Sequence, residues 1–186
     1  ADVTAVAQYL KHESWSTRQA ACQAMGDLGQ AAAPHLGAVA ERLADEDFRV
    51  RAAACEAVGK HGEAAVPHLA AVANCLSDRQ VINGTDWGKF VRAAACEALG
   101  KHGEAAEPHL GGVAKLLQDS NTDVRQAAYQ ALKSHIEARG RVVAAAVEAI
   151  GTYDPNGLAR KLLDEIGQAR AAAAHGAEAA GAVLHP

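Results

Sequence analysis

A chain of 186 residues that is 49% apolar but only 4% aromatic draws its apolar content from alanine, valine and leucine, which suits closely packed helices with a thin core. Its 18 basic and 22 acidic residues leave a net charge of −4, and the basic ones are scattered, which argues against a binder that tracks nucleic-acid phosphates. No apolar run approaches the roughly 18 to 20 residues needed to span a bilayer, and no charged leader followed by an apolar core opens the chain, so it is expected to be soluble.

In chain order, residues 6–10 (VAQYL) line up with 39–43 (VAERL) and 72–76 (VANCL), so residues 1–11 are expected to be a second helix without its first. That leaves either a half-repeat cap or one part of a longer array, with any targeting signal outside this chain. From residue 17 a unit TRQAACQAMGDLGQAAAPHL begins. It returns as VRAAACEAVGKHGEAAVPHL from residue 50, as VRAAACEALGKHGEAAEPHL from 91, and more loosely as VRQAAYQALKSHIEARGRVV from 124. Arg18, Arg51, Arg92 and Arg125 recur at steps of 33, 41 and 33 residues. A fixed period of this length marks one supersecondary unit stacked on copies of itself.

Within a unit, Asp47 is placed to cap a first helix opened by Phe48. Val50, Ala54, Ala57 and Val58 then form the buried stripe, while Ala53, Glu56 and Lys60 are expected outside, with Glu56–Lys60 and Glu97–Lys101 as i,i+4 pairs. Gly62 and Gly103 are expected to end their helices at φ > 0. The second helix is expected to start near Glu63 or Ala64, with Pro67 close to its first turn and Leu69, Val72, Ala73 and Leu76 buried. Pro34 and Pro108 repeat the proline, and Leu36, Val39, Leu43, Leu110, Val113 and Leu117 (or Leu116) the stripe; the fourth repeat has Arg141 where the proline should be. Tyr153, Asp154 and Pro155 restart a helix with Leu158, Leu162, Leu163 and Ile166 on its apolar face, as a degenerate cap would. Residues 169–186, rich in alanine and glycine, are expected to be a frayed helix and a poorly ordered end.

Asp or Asn ahead of VR, then AA-x-A-L/V-G-x-x-G, then a proline, resembles HEAT repeats, in particular the short variety near 33 residues seen in the PBS-lyase-like subtype. The resemblance covers roughly residues 1–165. It implies an all-α fold, an α-solenoid of about four HEAT-like hairpins with a half-repeat N-terminal cap and a degenerate C-terminal cap. The expected layout is a solenoid over 1–168, made of a half repeat at 1–11, repeats at 12–43, 44–76, 77–117 and 118–150 and a cap at 151–168, followed by a tail at 169–186. The resemblance also implies second helices lining a concave face, here carrying His35, His68, His109, Gly37, Gly111 and Gly112. Such folds serve as scaffolds, adaptors or binding surfaces more often than as enzymes.

The repeated residues are expected to be structural. Arg18, Arg51, Arg92 and Arg125 should anchor each repeat by pairing with acidic or carbonyl groups of the preceding turn, such as Asp45, Asp78 or Asp119; the sharper alternative is an anion-binding ladder. Cys22, Cys55 and Cys96 share one repeat position, and neighbouring copies ~10 Å apart are too distant for a disulfide or a shared zinc. With Cys75 alone on a second helix, four small buried or half-buried thiols and a reducing compartment, cytoplasmic or organellar, are expected. His35, His68 and His109 form one repeated set and His61, His102 and His135 another, so no metal is expected; helix C-termini near His61 and His102 should favour imidazolium. His61 and His68, across one hairpin, are the pair nearest to a two-histidine site.

Two enzyme classes lie near the family. Deoxyhypusine hydroxylase is built of HEAT repeats around His-Glu dyads, of which this chain has one, His12-Glu13, the KHGE units from Lys60 and Lys101 being split by glycine. Bilin lyases have similar short repeats, but no lyase residue can be matched here. No phosphate loop, nucleophile elbow or zinc spacing occurs.

Residues 79–90 (RQVINGTDWGKF) break the repetition with eight extra residues. Asn83-Gly84 predicts a tight turn, and Val81, Ile82, Asn83, Trp87 and Phe90 stand in a context found once. They are either a binding element or a lid over the ends of their own helices. The expectation for function is a non-catalytic scaffold or adaptor without cofactor, binding protein partners within a larger assembly. The alternatives are a HEAT-like bilin lyase or chaperone-type assembly factor, and an accessory subunit of a large photosynthetic or respiratory complex.

Overall fold

The computed structural model describes residues 2–149, 151 and 154–182, the side chains of 137–139 and 176–182 excepted. Tyr153 and the last four residues of the tail lie outside the described residues. The described residues form a succession of helical pairs interrupted by one two-stranded hairpin: α1 (Val3–Gln8), then α2 (Trp15–Leu28) with α3 (Leu36–Glu41), α4 (Phe48–Val58) with α5 (Leu69–Asn74), α6 (Gly88–Gly100) with α7 (Leu110–Lys115), α8 (Thr122–Lys133) with α9 (Ile136–Glu148), and α10 (Leu158–Ala182). First helices pack on first helices in chain order, α2 on α4, α4 on α6 and α6 on α8. Short side chains let them approach closely. A Cβ added to Gly26, Gly59 or Gly100 would stand 3.0 Å from the Cα of Ala57, Ala98 or Ala131 on the next first helix.

Local signals explain the helix ends. Asp47 accepts from the Arg49 amide at 2.9 Å and Asn121 from the Asp123 and Val124 amides at 3.0 and 3.2 Å, which pairs amides the first turn leaves free. The second helices begin later than expected. Gly29–His35, Gly62–His68 and Gly103–His109 are 3₁₀ segments, and α-helix starts only after each proline-histidine pair, at Leu36, Leu69 and Leu110. Proline has no amide proton and crowds the carbonyl four residues back, which blocks α pairing upstream of it. In the fourth repeat, where Arg141 replaces the proline, α9 runs unbroken from Ile136 to Glu148. Gly62 and Gly103, at φ of +50° and +48°, therefore open the 3₁₀ segments and turn the chain after the first helix.

The apolar stripes are buried as the periodicity requires, including both Leu116 and Leu117, except that Ala73, Leu158 and Leu163 are only half-buried. Ala53 is a correction: it is 3% exposed. A helix inside a stack is covered on more than one side, so its buried face is wider than a single amphipathic stripe. The Glu56–Lys60 pair is also corrected, because Lys60 reaches back to Asp27 of the previous repeat at 2.7 Å. At the far end Tyr129, standing where earlier repeats have cysteine, donates to Glu165 of α10 at 2.7 Å and ties the last helix to α8.

Three of the four arginines, Arg18, Arg51 and Arg92, join consecutive repeats, while Arg125 holds the turn of its own repeat. Arg18 grips both Asp45 oxygens at 2.8 Å and donates to the His12 and Glu13 carbonyls at 3.0 and 2.7 Å. Arg51 repeats this on the carbonyls of Asp45 and Glu46 and on the Asp78 carboxylate at 2.6 Å. Arg92 takes the Asp78 carbonyl at 2.8 Å and both oxygens of Asp119 at 2.9 Å. Arg125 takes the carbonyls of Asp119 and Ser120 at 2.6 and 3.0 Å. The carbonyls come from the preceding turn as expected, but the Asp45, Asp78 and Asp119 carboxylates come from the following repeat, 27 residues on. Burial works against these charges, yet the hydrogen bonds prevail: Asp45 stays below, and Arg92 above, its ordinary pKa.

All four cysteines are buried free thiols. Burial pushes the Cys22 and Cys96 thiols up to about 12, so they stay protonated. Cys75 is not isolated: its Sγ donates to the Leu43 and Ala71 carbonyls at 3.7 Å, and its proximity to Cys55, with burial, pushes the Cys55 thiol upward. The imidazolium expected at His102 is likewise corrected. Burial lowers its pKa despite a hydrogen bond with the Val58 backbone. His61 sits over the end of α4 with Nδ1 2.7 Å from the Ala57 carbonyl.

Arg92→Ala would strand the Asp119 and Asp86 carboxylates and the Asp78 carbonyl, so urea unfolding is expected to show a loss of ~3 to 5 kcal/mol, with a smaller loss at the more exposed Arg51. A loss below ~1 kcal/mol at Arg92 would refute a clamping role. His102 has a distinct pH signature. Unfolded imidazole, with a pKa near 6.5, takes up protons before the folded one does. Its stabilisation is therefore complete above about pH 6.5 and declines as pH falls through the lower folded value. His102→Gln should flatten the fall in urea midpoint between pH 7.5 and 5.5; an unchanged slope would refute the assignment.

Candidate functional site

The eight-residue insertion folds into a minimal hairpin. Strands β1 (Val81–Ile82) and β2 (Thr85–Asp86) pair antiparallel, Val81 with Asp86 and Ile82 with Thr85. Asn83 and Gly84, at φ of +52° and +77°, form the turn that Asn-Gly predicts. Asp86 accepts from Arg92 at 2.8 Å, and the amides of Trp87 and Gly88 donate to the Gln80 carbonyl at 2.8 and 3.1 Å. Gly88 is required there, because a Cβ would lie 2.7 Å from the Asp78 carbonyl oxygen. The hairpin is thus pinned to the same arginine that joins the third repeat to the fourth. The pairing depresses the Asp86 pKa, chiefly through the Arg92 hydrogen bonds.

This anchoring sets Trp87 and Phe90 against Phe48 of the previous first helix. Ring centroids lie 5.1 Å apart for Phe48 and Trp87, 5.9 Å for Phe48 and Phe90, and 6.0 Å for Trp87 and Phe90, with interplanar angles of 25° to 29°. Phe48 is buried, Trp87 half-buried and Phe90 46% exposed. Next to them Arg49 lies 3.4 Å above the Trp15 ring, while its guanidinium is forked onto Asp47 at 2.9 and 2.6 Å. That carboxylate is held below its usual pKa by the Arg49 hydrogen bonds.

Together these groups bound a groove of about 840 Å³ across α2, α4 and α6. Its aromatic end is Phe48, Trp87 and Phe90, with Ile82, Asn83 and Thr85 of the hairpin beside them. Its floor is Ala52, Ala53, Ala93 and Ala94, with Gln19 at the repeat position of Ala52 and Ala93, and Gln23, Glu56 and Glu97, which share one repeat position a turn further on, also line it. Of the insertion residues singled out in the sequence, Ile82, Asn83, Trp87 and Phe90 border the groove, while Val81 is 60% exposed and does not. The groove lies on the first-helix side. His35, His68 and His109, half-buried where the second helices begin, are not part of it.

Phe48, Arg49, Trp15 and the two glutamates were not apparent as site residues from the sequence. A signal for the first three exists: the two positions before each Val-Arg or Thr-Arg pair hold Trp15-Ser16, Phe48-Arg49 and Lys89-Phe90, but polar Thr122-Asp123 in the fourth repeat. Among the described residues, no group of three or more His, Cys, Asp or Glu side chains is gathered closely enough to hold a metal ion. Nor is any described helix long and apolar enough to cross a membrane.

Residues 3–84 match the family model for HEAT repeats. No curated protein sequence matches the chain. Solved structures resemble it in fold. A designed armadillo repeat protein in complex with the peptide (KR)4 superposes with a TM-score of 0.65 at 15% identity, over 90% of this chain and 81% of that one. An engineered protein gives 0.67 at 14% identity, over 87% and 76%. The complex of CpcE and CpcF of phycocyanin lyase from Nostoc sp. PCC7120 gives 0.58 at 16% identity, over 90% and 97%. At these identities the likeness is one of fold. Its stacked hairpins, the match of residues 3–84 to the HEAT-repeat model and these superpositions show an all-α solenoid fold, similar to that of HEAT and armadillo repeat proteins.

Proposed function

We propose that the chain is a non-catalytic scaffold or adaptor that binds a protein partner through the groove between the hairpin and the first helices, within a larger assembly. The observation that carries this reading is the contrast between the groove and the rest of the array. Elsewhere the repeats present similar chemistry at every step, whereas the groove concentrates Phe48, Trp87 and Phe90 around a unique insertion and leaves Ile82 43% and Phe90 46% exposed. Large aromatic groups held rigidly at a groove are the usual energetic centres of protein interfaces. The arginines, with their hydrogen bonds directed to the chain itself, are assigned the structural role.

A second reading is a lyase-like role. It draws on the likeness in fold to the CpcE and CpcF complex, which spans 97% of that chain. It draws also on a groove volume of about 840 Å³, within the range of small-molecule sites. A visible absorption band in the purified chain would favour it over the scaffold.

Trp87→Ala separates these ideas from a purely structural role. Affinity capture from native extract with wild-type and variant chains side by side is expected to yield a stoichiometric protein with the former alone. The purified pair should bind at least ~30-fold more weakly in the variant, about 2 kcal/mol. Because Trp87 is only half-buried, its truncation should cost less stability than the ~3 to 5 kcal/mol of emptying a core aromatic site. A large loss of stability with unchanged partner affinity would overturn the reading.

A further inference from the structure

If the groove is the binding site, as proposed above, its charges say what kind of segment enters it. Glu56 and Glu97 occupy the same repeat position on α4 and α6, both are exposed, and both line the groove. Among the described residues neither carboxylate has an ion pair: Lys60, one turn from Glu56, is held by Asp27 at 2.7 Å. The same position in the first and fourth repeats is neutral, Gln23 and Gln130, so the paired acid is confined to the two repeats that flank the hairpin. At the aromatic end Arg49 is neutralised by its fork onto Asp47 at 2.6 and 2.9 Å, and Lys89 is turned over the Phe90 ring, 5.1 Å from its centroid, and does not line the groove. The groove is therefore apolar and aromatic at one end and negative at the other. Phosphate-bearing and acidic ligands are disfavoured there, and a cation is favoured.

The two ends also set a spacing. Glu56 lies eight residues beyond Phe48 on α4, and Glu97 seven beyond Phe90 on α6. At ~1.5 Å of helix rise per residue this is roughly 10 to 12 Å, which an extended chain covers in about three to four residues at ~3.3 Å each. Carboxylates on adjacent helices, ~8 to 10 Å apart between axes, sit on either side of a single long basic side chain. We infer that the groove receives an extended protein segment whose large apolar side chain stacks on Phe48, Trp87 and Phe90 and whose lysine or arginine, three or four residues away, lies between Glu56 and Glu97.

The probe is a random 12-residue peptide library displayed on phage, selected on the full chain and counter-selected on Trp87→Ala, with the leading sequences synthesised and titrated. The expected result is a large aliphatic or aromatic residue with Lys or Arg three or four positions away. Glu56→Gln/Glu97→Gln should weaken those peptides about tenfold or more and remove most of the salt dependence of binding. Glu63→Gln, outside the groove, should leave affinity unchanged, and thermal melts should show all three variants folded. Trp87-dependent peptides that lack a basic residue, or equal affinity for the charge-neutral variant, would overturn the inference while leaving the groove as the binding site. A selection that yields no Trp87-dependent peptide would count against both.

Discussion

The stack depends on buried guanidinium groups that each hold two turns of chain together. Arg92, 1% exposed, is bonded at once to the carbonyl of Asp78 behind it and to the carboxylate of Asp119 ahead of it. A buried ion pair has a large desolvation cost, and its net contribution over an apolar replacement is small. What it supplies is geometry: a planar fork accepts a carboxylate in one orientation, which sets how far each hairpin is rotated against the next. Asp45 and Asp119 serve twice, since their side chains also accept the amides of Asp47 and Asn121 at 3.1 and 2.9 Å and shape the turns that start the next first helices. Helix capping and repeat stacking are therefore one connected network.

Within that frame the first helices are packed by the smallest residues available. Gly26 against Ala57, Gly59 against Ala98 and Gly100 against Ala131 bring backbones into contact, which leaves little room for large side chains between repeats. This accounts for an apolar content of 49% with so few aromatics. It also makes the aromatic groups that remain informative, because Phe48, Trp87 and Phe90 collect at the one place where an insertion widens the surface. The insertion is not a loose appendage. Asp86 borrows the Arg92 fork, so the hairpin that shapes the groove is fixed by the network that sets the stacking.

Much of the fold was legible in the residues themselves. The steps between Arg18, Arg51, Arg92 and Arg125, the Asp47 cap, the Val50, Ala54 and Val58 stripe, and the Asn83-Gly84 turn are all consequences of local chemistry and short-range periodicity. Helix propensity, capping and turn type act over fewer than about ten residues, and repetition multiplies a weak local signal until the architecture is clear. The candidate site was half legible for the same reason. The break in the repeat pointed to Ile82, Asn83, Trp87 and Phe90.

The rest waited on tertiary structure because it depends on which residues of different repeats face one another. That Arg18, Arg51 and Arg92 would each grip a carboxylate 27 residues further on, that Phe48 would receive Trp87 from across the insertion, and that Cys75 would lie beside Cys55 follow from the angle and spacing of stacked hairpins. Ala53 went from an expected outer face to the floor of a groove by the same rule. The sequence determined the repeating unit, the cap of its first helix and the turn of its insertion. Only the packing of one unit on the next decided the partners of the buried charges and the surface on which a groove could form.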